Sequence, residues 1–295
     1  MQTTATQTVK NYIEVTKPPI VLLLVFTSLA TMILAWKHTQ LPLRPELFLT
    51  AAVAITAASA GCDTLTSYVD RDIDAVMYRT KHRPIPSGRI RPTRALIWGL
   101  FLAAAGLALA YWINMLSFAW IALGVIDNVV VYSLILKRRN PLNIILGGIS
   151  GGLPVMFGWS AVTGSAELLP VLLAALVVLW IPGHIWSLAI FTREDYERAK
   201  VPMLPVVTNL KTALRCIVST IVLMVPFSVW IFFEGSFGLI YLATAVLFGT
   251  LVLYINFRLF MRPDNTLAYK AFKTSSPYLF ALFLAMMIDS FVRII

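Results

Sequence analysis

Charge is what this chain has least of. Asp, Glu, Lys and Arg make up 13% of its 295 residues, against about 25% in a water-soluble domain, and so few cannot cover a water-facing surface. With 59% hydrophobic residues and a mean hydropathy of +0.80, a soluble globular fold is excluded. Cysteine is almost missing too. Cys62 and Cys216 lie far apart in apolar surroundings, outside any CxxC or Cys/His spacing, which excludes a disulfide framework and a zinc site. No cleavable leader is expected, because the first seventeen residues are polar and no small-residue cleavage pattern follows the first apolar run. The formal net charge of +10 fits nucleic acid, anionic lipid or an anionic substrate. The basic residues flank apolar runs and form no soluble patch, so membrane lipid and an anionic substrate lead and nucleic acid is set aside.

What the chain has in abundance is apolar runs. A crossing takes about 20 mostly apolar residues, and nine segments qualify: 18–36, 46–69, 93–112, 115–136, 141–163, 168–191, 213–233, 237–260 and 276–294. The pattern predicts a single all-α, polytopic membrane domain over 1–295. Pro141, Pro170 and Pro277 are expected near helix starts, Pro182 and Pro226 inside helices that they bend. With the N-terminus on the cytoplasmic side, every Lys and Arg except Lys37, Arg44 and Arg293 of the 24 falls in the inner segments. The positive-inside rule then puts the N-terminus in the cytoplasm and the C-terminus outside the cell membrane. That rule does not explain acids. Asp70, Asp72, Asp74, Glu194, Asp195 and Glu197 gather after the second and sixth spans, so the chemistry is expected on the cytoplasmic side.

Four groups of residues carry that chemistry. Asp63, Asp70 and Asp74 fall on one stripe of the second helix, beside Thr66 and Ser67. Neighbouring carboxylates repel unless a cation lies between them, and carboxylates completed by substrate phosphate are the usual way of holding Mg²⁺. A solvated helix end is the plainer reading, but acids this close to an apolar span are costly. Arg79, Lys81 and Arg83 follow in a cationic loop that ends at Arg89 and suits phosphate oxygens, although topology alone explains any one of them. His184 follows Pro182 inside the sixth span and is equally well read as a packed structural residue. Asp127, deep in the fourth span, should face the bundle interior, ahead of Tyr132, Lys137, Arg138 and Asn143. Gly147, Gly148, Gly151 and Gly152 read as a close-packing stripe.

Taken together, Asp70-xxx-Asp74 followed by Arg83-Pro-Ile-Pro-Ser-Gly88 resembles the membrane-embedded prenyltransferases of the UbiA superfamily. A more specific match, to the haem-modifying subgroup, is carried by Asp72-Ile-Asp74-Ala-Val-Met77-Tyr-Arg79-Thr80-Lys-His-Arg83-Pro84, Lys137-Arg138 and Asn143-Ile-Ile-Leu-Gly147-Gly148. Gly158-Trp159-Ser-Ala-Val-Thr163-Gly164, His184, Arg193-Glu194-Asp195-Tyr196 and Pro202-Met-Leu-Pro205 extend it. The resemblance implies nine helices around a central cavity capped by cytoplasmic loops. It implies a polyprenyl diphosphate donor held through Mg²⁺, and transfer of a farnesyl group to the 2-vinyl group of haem B. It leaves room for association with other haem-pathway enzymes. Asp70 and Asp74, with Asp63, would hold the metal, and Arg79 and Arg83 the diphosphate. His184 would contact donor or acceptor, while Lys137, Arg138, Arg193, Asp195 and Tyr196 would complete a charged cap. Two departures stand out: Thr66 occupies the place where the superfamily usually has Asn, and the second aspartate motif of quinone-type members is replaced by the His184 and Arg193-Glu194-Asp195 pattern. A quinone precursor, a chlorophyllide or a glycerol phosphate remains an alternative acceptor. A secondary transporter is the alternative of another class, although transporters place charge nearer the midplane.

Overall fold

Proline sets where several helices begin. Pro18, Pro45 and Pro92 occupy the first positions of α2 (Pro18–Thr39), α3 (Pro45–Val69) and α5 (Pro92–Ile113), where the missing N–H has no intrahelical partner to lose. A computed structural model describes residues 5–292. Before these spans lies a short helix, α1 (Ala5–Glu14), and α4 (Arg71–Val76) follows α3 almost without a break. The remaining helices are α6 (Met115–Val125), α7 (Asn143–Leu146), α8 (Ile149–Thr163), α9 (Leu168–Phe191), α10 (Arg193–Arg198), α11 (Leu204–Val207), α12 (Leu210–Glu234), α13 (Leu239–Met261) and α14 (Asn265–Val292). Among the described residues there is no strand, and nine helical segments are long and apolar enough to cross a bilayer. In hydrocarbon every backbone polar group needs an internal partner, which helices supply.

The ninth span departs from expectation. Its helix begins at Asn265, so Pro277 lies well inside it and not near its start. The polar turns 265–275 stay helical and run directly into the apolar part. The expected end at 294, and Arg293, lie outside the described residues. Pro154, Pro182 and Pro226 also sit within helices.

The fourth span widens. After α6 the chain continues over Ile126–Leu136 as a π-helix, a form that is rare and frequent at functional sites. Asp127 Oδ2 accepts from the Ser150 backbone N–H at 2.9 Å, tying this segment to the start of α8. Glycine lets two elements close in. A Cβ on Gly158 would stand 2.2 Å from the Ser28 carbonyl oxygen, so α2 and α8 meet backbone to backbone there. A Cβ on Gly147 would stand 2.5 Å from Tyr132 Cβ, so the ring of Tyr132 lies where a side chain would otherwise be.

Three large apolar clusters hold the bundle. Trp159, Leu173, Tyr278 and Phe283 are among those joining α8, α9 and α14. Met32, Ala54, Ile121 and Phe157 join α2, α3, α6 and α8. The third packs Ile73, Met77, Tyr196 and Met203 onto Trp186 and Leu259, fixing the connections at the charged end. Within the bundle a cavity of about 60 Å³ touches Asp63, Asn128, Ser150 and Phe157, room for a few waters.

Candidate active site

At one end of the bundle three stretches of chain each bring a cation to a carboxylate of the α3–α4 segment. Asp63, buried on α3, is bonded by Lys17 Nζ at 3.1 Å, and the same ammonium reaches Thr66 Oγ1 at 2.9 Å. Lys17 stands between α1 and α2 in a left-handed conformation, φ 53°. Asp70, 4% exposed, accepts from Lys137 Nζ at its Oδ2. Asp74, 3% exposed, takes Arg83 Nη1 at 2.9 Å and 3.1 Å on its two oxygens. The Asp74 N–H donates to the Asp70 carbonyl at 2.8 Å, so the helical spacing that puts the two acids on one face survives the α3–α4 junction.

Outside this buried set lies a ring of braces. Arg138 grips Asp72 with both nitrogens at 2.6 Å, and this bond holds the Asp72 carboxyl well below its ordinary range, at about 2. Arg89 grips Glu14 in the same way at 2.6 and 2.7 Å and also bonds Asn11, holding Glu14 below the usual carboxylate value. Asp195 accepts from the backbone N–H groups of Tyr78 at 2.7 Å and Arg79 at 3.0 Å. It thereby anchors the turn that carries Arg79, Lys81 and Arg83.

The structure therefore gathers Asp63, Thr66, Asp70, Asp74, Arg83, Lys137, Arg138 and Asp195 at one end. The Lys137 ammonium lies 5.5 Å from the centre of the Tyr132 ring. Asn143 is fully buried and donates weakly to the Lys137 carbonyl at 3.4 Å. Ser67 donates to the Asp63 carbonyl at 2.8 Å. Lys81 lies over the Tyr78 ring. Arg79 is exposed, and its guanidinium has no hydrogen bond or ion pair among the described residues. Two expected members stand apart. Arg193 is engaged with Glu197 in an exposed pair. His184 is stacked between Trp180 and Phe272, with Nδ1 2.7 Å from Ser275 Oγ, and touches none of the acids. Tyr196 is a packing residue of the apolar cap. The sequence reading missed Lys17, Glu14 and Asn11 as parts of the site. Lys17 counted only as a topology charge, and nothing local announces that a residue 46 positions away from Asp63 will meet it.

Metal binding can be tested on the carboxylates. Among the described residues no three His, Cys, Asp or Glu side chains converge as a metal-binding group, since Asp63 is turned to Lys17. Asp70 Oδ1, however, is buried with no hydrogen-bond partner. An orphaned carboxylate oxygen beside a second carboxylate fits a hard divalent cation whose remaining ligands come from substrate and water.

Fold and site together define an integral membrane protein with a desolvated acid–base cluster at one end of its helices. The chain belongs to the UbiA prenyltransferase family, whose model matches residues 23–286. It is 55% identical over 289 residues to a protoheme IX farnesyltransferase of Desulforudis audaxviator, covering 97% of this chain and 90% of that one. A protoheme IX farnesyltransferase of Thermoplasma volcanium is 40% identical, with 96% and 99% covered. In fold the chain is similar to a digeranylgeranylglyceryl phosphate synthase (TM-score 0.77, 21% identity, 96% and 99% covered). It is also similar to a UbiA homologue from Archaeoglobus fulgidus bound to GPP and Mg²⁺ (TM-score 0.69, 17% identity, 94% and 99% covered).

Proposed function

We propose that this chain transfers a farnesyl group from its diphosphate to the 2-vinyl group of haem B, giving haem O and diphosphate. The observation that carries this reading is 55% identity, over nearly the whole chain, to a protoheme IX farnesyltransferase. It is supported by the buried pairs Asp70–Lys137 and Asp74–Arg83 at the mouth of an apolar bundle. The bond from the farnesyl C1 to the diphosphate oxygen breaks, and the vinyl carbon attacks the allylic cation. Water adds to the resulting cation on the porphyrin side chain, and its proton leaves. Farnesyl diphosphate, haem B and water are thus consumed, with haem O, diphosphate and a proton formed.

Asp70 and Asp74 would hold Mg²⁺, which when bound supplies positive charge for the leaving diphosphate. The chain's own cations do the same from fixed positions. Arg79, without a hydrogen bond or ion pair among the described residues, and Arg83 bind diphosphate oxygens and stabilise charge as it develops. Lys137 neutralises Asp70 in the absence of substrate, and Asp195 orients the Arg79 turn. The apolar walls keep water from the allylic cation until the vinyl group has reacted. The basic bias of the connections at this end supports a cytoplasmic N-terminus and a cytoplasmic active site.

Mass spectrometry of haems from a host lacking haem O, with and without this chain, tests the reading. Haem O appearing only with the chain is expected; a prenylated quinone or lipid and no prenylated haem would reverse the choice of acceptor.

A further inference from the structure

A large hollow lies on the flank of α1, away from the acids. It is a groove of about 1040 Å³ between α1, α3 and α5, walled by Val9, Ile13, Val53, Ile97 and Phe101. Its charged rim is Arg94, exposed in the first turn of α5, whose guanidinium has no hydrogen bond or ion pair among the described residues. Beside it Trp98 lines the groove, and Tyr12 meets the Trp98 ring edge-on at 5.9 Å. Arg91 and Lys10 are exposed nearby in sequence, on the elements that bound the groove. An arginine among the first residues of a helix meets the positive end of the helix dipole, and no acid offsets it here. An unpaired cation above apolar walls suits an anion at the rim and a hydrocarbon chain below it.

We propose that this groove binds one anionic phospholipid, its phosphate on Arg94 and an acyl chain along the α3–α5 wall. A volume of about 1040 Å³ leaves room for an acyl chain. A farnesyl diphosphate does not fit the chemistry as well. Asp63 faces the inner cavity and does not line this groove, so a diphosphate at Arg94 would have no carboxylate partner for its metal. The lipid also has a structural consequence. Two residues of α1 that do not line the groove, Asn11 and Glu14, hold Arg89, and Lys17 follows at its end on Asp63. Filling the groove fixes α1 from its lipid side and so steadies Lys17 at the active site.

Native mass spectrometry of the full chain, released from vesicles of equal phosphatidylglycerol and phosphatidylcholine, tests the site. One retained phosphatidylglycerol per chain is expected. Arg94→Gln should lower its preference over phosphatidylcholine about fivefold, the worth of one basic residue at a membrane surface. Arg262→Gln removes the same charge from the C-terminal cap of α13, which does not line the groove, and should leave the preference unchanged. Thr56→Trp, placed on an exposed groove residue, should expel lipid of either kind. Equal loss in Arg94→Gln and Arg262→Gln, no effect of Thr56→Trp, retention of farnesyl diphosphate in the groove, or a dimer that covers it without lipid would each overturn the proposal.

Discussion

Replacing Lys137 with Met should unmask the charge on Asp70. Asp70 is 4% exposed, its Oδ1 has no partner, and its Oδ2 is bonded by the Lys137 ammonium. Removing one member of a buried ion pair leaves the other uncompensated, at about 3–5 kcal/mol. Asp70→Asn should cost a similar amount by stranding the ammonium. The double variant Asp70→Asn/Lys137→Met leaves no bare charge, so its loss should fall to about 2 kcal/mol, giving a coupling energy well above the ~0.5 kcal/mol of independent sites. Reversible unfolding of the four proteins in one micelle system measures this. Mg²⁺ supplies a readout separate from turnover: it should raise the unfolding midpoint of Lys137→Met more than that of the parent, because the freed carboxylate draws a cation. Additive losses, or an equal Mg²⁺ effect on both proteins, would refute the view that Lys137 neutralises a metal-binding carboxylate.

Three further outcomes are expected. Gly147→Ala should displace Tyr132, whose Cβ would stand 2.5 Å from the new methyl, lowering stability by about 1–3 kcal/mol in the same unfolding assay. Asp195→Ala should free the Tyr78 and Arg79 N–H groups and raise KM for the prenyl donor several-fold, with Asp195→Asn recovering part of the loss by keeping one acceptor oxygen. Asp72, held at about 2 by Arg138, has a folded pKa below its ordinary 3.8. Its contribution is therefore complete above pH ~4 and lost as pH falls toward 2. Asp72→Asn should be less stable than the parent at pH 7, by under ~1 kcal/mol because the pair is largely exposed, and indistinguishable from it near pH 2 in unfolding midpoint.

The nine spans were legible because twenty-residue apolar runs have few other uses, and the first eight spans fall within a few residues of expectation. The ninth was misplaced at its start because hydropathy marks the lipid-embedded part of a helix, and the polar turns from Asn265 to Ser275 are helical without being apolar. Asp70 and Asp74 announced themselves by local spacing, and Arg83 by its motif. Lys17 and Glu14 did not, since their partners Asp63 and Arg89 lie dozens of residues on and only the folded bundle brings them together. The π-helix was equally silent: Ile126–Leu136 has an ordinary apolar composition, and its width shows only in its backbone hydrogen bonds and in the space Gly147 leaves for Tyr132.

Arg83 separates charge from geometry. One of its nitrogens bonds both oxygens of Asp74, while the rest of the guanidinium fork keeps further donors. Arg83→Lys preserves the positive charge beside a buried carboxylate, so stability should stay within about 1 kcal/mol of the parent. It loses the planar fork that matches phosphate oxygens, so kcat/KM for the farnesyl donor should drop at least tenfold while KM for haem B changes little. Arg83→Ala removes both functions. It should lose the donor and also about 3–5 kcal/mol of stability, as Asp74 is left bare, and Arg83→Ala/Asp74→Asn should regain stability without regaining turnover. An Arg83→Lys enzyme with normal donor kinetics would reduce Arg83 to a partner for Asp74 and leave Arg79 as the diphosphate ligand of this turn. The outcome decides whether the cation that quiets the carboxylate at rest is the same one that receives the leaving group.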